Sequence, residues 1–275
     1  MARKLFCEIC PFTYALSLQK ERLKRHIRNL LGNERYAFQY DAVRLPVVVA
    51  SQHNNMIKRG PDINPLHQQN KADNIRLACS KIDGLLIRPG ETFSFWKIVG
   101  KTSRQNGFKD GRILVNGQLT AGVGGGLCNL ANTINLLILY SPMTITELHH
   151  HSDALAPDPN GLHRPYSAGT SVNYNFIDYR FRNDTDQTVQ LCTWCEGDEL
   201  MAELRSEYPY PYTYRLTEEE HHFHQEADGA YYRISKIYRE TIDRETGEVI
   251  DRELNWDNHS RVMFDPSLLP PEQIQ

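Results

Sequence analysis

Gly122-Val123-Gly124-Gly125-Gly126-Leu127-Cys128 joins a glycine loop to a thiol and runs into an apolar stretch. Four glycines in five positions lose much backbone entropy on ordering, so a backbone without side chains is needed there, as when a ligand approaches the amides closely. A helix starting at Leu127 puts Cys128 where unpaired N–H groups and the macrodipole favour negative charge. A thiol in that place ionises more readily, and the thiolate is the reactive form. The glycine amides then stand ready for the oxyanion of a tetrahedral intermediate. Together these are the parts of a cysteine nucleophile for acyl transfer. The same string also reads as an anion-binding turn beside an inert cysteine.

A base is supplied by His149, His150 and His151, 21 to 23 residues downstream. If they end a strand, His149 and His151 project to one face and His150 to the other. A neutral imidazole takes the thiol proton and returns it to the leaving amine, with Asp153 or Glu147 to orient the ring. Two C-x-x-C pairs, Cys7/Cys10 and Cys192/Cys195, offer a different chemistry: a four-thiolate zinc site, if the N-terminus folds back onto the later strands.

These residues need elements to position them. Leu130, Ile134, Leu137 and Ile138 form one apolar stripe, which predicts a buried helix over 127–140 ended by Ser141-Pro142. Before it, Val47-Val48-Val49 predicts a strand. Asn70 or Asp73 predicts the start of a helix running to Ile82 with Gly84 beyond it. Leu85-Leu86-Ile87 and Thr92 to Phe95 predict strands around a Pro89-Gly90 turn, and Arg112 to Thr120 a hairpin through Asn116-Gly117. After it, strands are expected at 144–148, at 172–182 with Val172, Tyr174 and Phe176 on one face, and at 189–194. Residues 208–212 read as an extended connector to a hairpin formed by 231–242 and 249–254. His221, His222 and His224, after three glutamates, read as a solvated loop. The fold class expected is α+β, mainly antiparallel, with one buried helix following the glycine loop. Its parts are a basic helical lead-in over 1–35, a core domain over 36–206 and an extension over 207–275.

Composition is that of an ordinary globular protein, 40% hydrophobic and 24% charged. A net charge of -3 gives no basis for a nucleic-acid binder. No apolar run reaches the ~20 residues of a membrane-spanning helix, and Glu8, Pro11 and Thr13 break up the N-terminal apolar pieces. The expected compartment is the cytoplasm, with the six cysteines reduced. Leu18, Leu23, Ile27 and Leu31 recur at near-helical spacing among Lys20, Arg22, Lys24, Arg25 and Arg28, with Gly32 as a stop. Such a helix docks on its own domain, binds an acidic partner, or makes a peripheral contact with an anionic membrane.

In order and spacing, Pro89-Gly90-Glu91-Thr92-Phe93-Ser94-Phe95, Gly107-Phe108, Gly111-Arg112, Gly124-Gly125-Gly126-Leu127-Cys128-Asn129 and His149-His150-His151-Ser152 resemble the VanW family. The resemblance covers roughly residues 10 to 260, and Asn173-Tyr174 to Thr185 looks like that family's strand-rich end. It implies a bacterial protein linked to the cell wall and to glycopeptide resistance. It further implies L,D-transpeptidase-like chemistry on peptidoglycan peptides or precursors, with Cys128 as nucleophile, His149 or His151 as base, and no cofactor. Gly124, Gly125, Gly126, Asn129 and Arg112 are then expected to bind the substrate. The alternative is a non-catalytic protein whose glycine loop holds a carboxylate-bearing peptide or muropeptide.

Overall fold

Apolar residues at helical and at alternating spacing sort the chain into helices and strands that close on one core. The computed structural model describes residues 5–59, 63–115, 118–150, 153–154 and 169–275. In chain order the elements are α1 (Pro11–Leu31), β1 (Arg35–Tyr36), β2 (Gln39–Tyr40), β3 (Val47–Asn55), α2 (Pro65–Ile82), β4 (Leu85–Ile87), β5 (Glu91–Ser94) and α3 (Phe95–Val99). The middle of the chain holds β6 (Asp110–Val115), β7 (Gln118–Val123), α4 (Leu127–Leu139), β8 (Thr144–Glu147) and β9 (Asp153–Ala154). Six strands follow: β10 (Arg180–Arg182), β11 (Val189–Glu196), β12 (Glu199–Ser206), β13 (Tyr212–Gln225), β14 (Tyr231–Asp243) and β15 (Val249–Val262).

A five-stranded sheet, β2-β4-β11-β12-β3, carries the core, with α2 packed on β11 and α4 on β3 and β12. A four-stranded sheet, β1-β5-β10-β8, lies beside it, and β13-β14-β15-β9 forms a third sheet. Pairing is antiparallel except for β1 with β5 and β9 with β15, and the fold is α+β as expected. In α4, Leu130, Ile134, Leu137 and Ile138 are buried together with Leu127. The β6–β7 hairpin pairs up to Val115 opposite Gln118, and its Asn116-Gly117 turn lies outside the described residues.

Three elements differ from the sequence expectation. Helix α2 begins at Pro65, ahead of Asn70, because the Asn64 side chain accepts from the amides of Leu66 (2.9 Å) and His67 (3.3 Å), with Pro65 at the first helical position. The expected strand through Val172, Tyr174 and Phe176 is broken by a turn. There Asn175 takes a φ of 48°, and the Ile177 amide donates to the Asn173 carbonyl at 3.0 Å. Asparagine tolerates that left-handed backbone, and its side chain donates to the Arg22 carbonyl. Finally, His221, His222 and His224 belong to β13 rather than to a loop. The charges of β13 are answered across the sheet, Arg215 by Glu240, Glu220 by Lys236 and Glu219 by Arg252.

Candidate functional site around Cys128

The glycine loop is shaped by the protein's own packing. A Cβ on Gly125 would lie 2.3 Å from the carbonyl carbon of Gly111, and a Cβ on Gly111 only 2.8 Å from the Gly125 oxygen. The loop therefore crosses β6 with backbone against backbone. Gly126, at φ +103°, is covered by the Lys71 side chain, whose Cγ would be 2.3 Å from a Cβ there. The Gly124 amide donates to Lys109 O (3.0 Å), the Gly125 amide to Gly122 O (3.2 Å), and Asn74 Nδ2 donates to Gly125 O (3.0 Å). At the helix start, the amides of Gly126, Leu127 and Cys128 meet no acceptor among the described residues.

Cys128 sits on the first turn of α4, half-buried, and its thiol donates to the Val172 carbonyl across 3.7 Å. Burial pushes this thiol above its ordinary pKa and outweighs the backbone hydrogen bonds of Val172 and Cys128, which lower it. One and two turns along the same helix face are Asn132 and Asn135. Asn132 Oδ1 accepts from the Thr170 amide at 3.2 Å. The Ser171 amide donates to His149 O at 2.7 Å, and His150 bridges to Thr170. Residues 170–172 are thus bonded to α4 through Cys128 and Asn132, and to the histidine segment through His149 and His150. Three buried oxygens in this region, Asn129 Oδ1, Asn135 Oδ1 and Thr170 Oγ1, have no hydrogen-bond partner among the described residues.

The histidines fall just past β8. His149 Nε2 lies 3.2 Å from Glu147 Oε1, so Glu147 is the carboxylate set against an imidazole. Glu147 is itself gripped by Arg25 of α1 and accepts from the Asp178 amide at 3.1 Å. Burial raises its pKa, but the hydrogen bond and charge of Arg25, the Asp178 amide and the charge of Arg180 outweigh that and hold it below the usual carboxylate range. His150 is stacked on Trp256 of β15, ring centroids 4.2 Å apart and planes parallel within 1°. His151 lies outside the described residues, as do the side chains of Arg112 and Asp153. The Arg112 backbone pairs with Ala121 across the β6–β7 hairpin. No described imidazole comes within hydrogen-bond distance of the Cys128 sulfur.

Sequence reasoning placed none of Asn132, Asn135, Trp256 or Arg25 at the site. The asparagines were readable as a polar row at helical spacing from Cys128. Trp256 and Arg25, by contrast, reach the site from distant parts of the chain. The two C-x-x-C pairs do not meet: Cys192 is buried beside Arg44, while Cys195 faces Met56 and Cys79 on the other side of β11. Among the described residues, no three His, Cys, Asp or Glu side chains converge as metal ligands. A cleft of about 390 Å³ between Ile57, Lys58, Gln68 and Asp198 includes none of the residues named around Cys128.

Comparison with known proteins places this geometry in context. Residues 70–205, from the middle of α2 to the end of β12, match the family model described as VanW like protein. The chain is 26% identical over 264 residues to the vancomycin B-type resistance protein VanW of Enterococcus faecalis, covering 96% of this chain and 95% of that one. It is 29% identical over 138 residues to the uncharacterized protein YoaR of Bacillus subtilis, which is half of this chain and 44% of that one. No solved structure matches it.

Proposed function

The chain belongs to the VanW family, and from that premise we propose that it serves vancomycin resistance by acyl transfer on cell-wall peptides, with Cys128 as the nucleophile. The observation that carries this reading is the attachment of the thiol and the histidine segment to the same three residues, 170–172. A thiol whose pKa is raised needs its proton removed as it attacks, so a general base is part of the step. An imidazole, His149 or His151, takes that proton while the sulfur bonds to the peptide carbonyl carbon. The helix-start amides at Leu127 and Cys128 are free to hold the oxyanion. The C–N bond then breaks, the amine leaves with the proton from the imidazolium, and an acceptor amine or water resolves the thioester.

A second reading, binding without chemistry, is favoured by the oxygens of Asn129, Asn135 and Thr170, which are without partners among the described residues and are able to accept from peptide N–H groups. Incubation with muropeptides followed by intact-mass measurement separates the two. Acyl transfer gives an adduct on Cys128 that the Cys128→Ala variant lacks. Saturable muropeptide binding, equal in wild type and Cys128→Ala and with no adduct in either, leaves only the binding reading.

A further inference from the structure

Helix α1 is held to the body by one face. Arg25 is buried against Glu147, Arg22 Nε donates to Tyr174 O at 3.3 Å, and Asn29 Oδ1 accepts from Arg180 at 2.7 Å. Half a turn away, at helical spacing, Phe12, Leu16, Leu23, Ile27 and Leu30 form a stripe on the opposite face. All five are exposed, Phe12 at 74% and Leu30 at 82%. Scattered exposed apolar residues are ordinary, but apolar residues aligned along one helix face, here interrupted at Gln19 and Lys20, mark an interaction surface. Lys20, Lys24 and Arg28 run along one edge of it, and the single acid of the helix, Glu21, is paired with Lys24 at 2.8 Å.

We propose that the outer face of α1 docks on an anionic lipid surface, with the stripe in the acyl boundary and Lys20, Lys24 and Arg28 among the headgroups. Charge selects this occupant. Two copies packed stripe to stripe would set basic edges near each other with no acidic row to answer them. The helix lies on the bilayer rather than crossing it, because no helix among the described residues is long and apolar enough to span one. The inner face carries Arg25, Arg25 holds Glu147, and Glu147 holds His149. Docking therefore sets the His149 segment about one helix diameter, ~10–12 Å, from the lipid. The surface stands whether or not Cys128 performs acyl transfer.

Flotation of the full chain with phosphatidylcholine vesicles, with and without phosphatidylglycerol, tests it. The protein should float with the anionic vesicles alone, and added salt should weaken the association. The double variant Leu23→Glu/Ile27→Glu, at two exposed positions, should keep its circular dichroism and stop floating. Replacing Lys20, Lys24 and Arg28 by Gln should weaken binding about fivefold per charge, on the order of a hundredfold together. Equal binding to neutral vesicles, or binding to neither, overturns the proposal. So does a dimer in sedimentation that Leu23→Glu dissolves while vesicles have no effect.

Discussion

Burial keeps Cys128 protonated at neutral pH, outweighing the backbone hydrogen bonds of Val172 and of Cys128 itself, which pull the other way, so its thiolate fraction there lies below that of an ordinary exposed cysteine. Cys10 is the internal comparison, exposed and lowered in pKa by its backbone and side-chain hydrogen bonds with Thr13. Alkylation at pH 7, followed by peptide mapping, should modify Cys10 ahead of Cys128, and the Cys128 rate should keep climbing past pH 9. Preferential labelling of Cys128 at low pH would instead reveal a standing thiolate and make the base dispensable. Glu147 gives a second titration. Its folded pKa is lowered, so its ion pair contributes fully above the unfolded carboxylate value of about 4.3 and is lost as pH falls through the folded value. Glu147→Gln leaves Arg25 buried without its counter-charge, although the Phe176 carbonyl still accepts from Arg25 at 3.0 Å. A loss of about 3 kcal/mol at pH 7 is expected in urea unfolding, shrinking toward zero in acid. The glycine string, the thiol and His149 were legible because each is announced by its own neighbours in sequence. Val172, Arg25 and Trp256 were not, since nothing local in those segments indicates which distant residue they touch.

At the level of elements, the glycine loop shows how one signal admits two physical causes. Sequence demands a backbone without side chains but does not say what comes close, and here β6 does. Gly125→Ala is therefore expected to act on stability: its Cβ would meet the Gly111 backbone, which cannot swing away as a side chain can. Overpacking of this kind costs about 1–3 kcal/mol. Gly90→Ala, where a Cβ has open space but φ is +76°, should cost about 1–2 kcal/mol from backbone strain alone. Chemical denaturation of both variants compares them. Unchanged stability in Gly125→Ala together with lost muropeptide binding would restore the ligand as the reason for the glycine. Helix α4, strand β3 and the β6–β7 hairpin were legible because their apolar period or turn chemistry decides them locally. The start of α2 was misplaced although Asn64-Pro65 is a sound start signal, because the apolar stripe there begins late. The alternation of Val172, Tyr174 and Phe176 mimicked a strand, but Arg22 and Arg25 of α1 accept that segment as a turn by bonding the Tyr174 and Phe176 carbonyls.

Across the whole molecule, the third sheet acts as a clamp on the Cys128 region. Arg239 of β14 reaches the carbonyls of Leu139 and Ser141 at the C-terminal end of α4, where cations are favoured. Trp256 of β15 stacks on His150, and the end of β15 pairs with β9 just beyond the histidines. One sheet thus holds the far end of the helix that carries the thiol and also the segment that carries the imidazoles. Their spacing is consequently set by a long-range assembly, which a reading by local pattern does not reach. Trp256→Ala removes an aromatic contact of about 1 kcal/mol. If that contact anchors the histidine segment, hydrogen exchange over residues 144–150 should speed up about fivefold. Arg239→Ala should do the same at Tyr140 and Ser141, whose amides close the last turn of α4. Because the two contacts share a sheet but no side chain, each variant should leave the other's segment protected. Loosening of both segments by either substitution would mean that the sheet detaches as a unit and that the clamp is a single cooperative body.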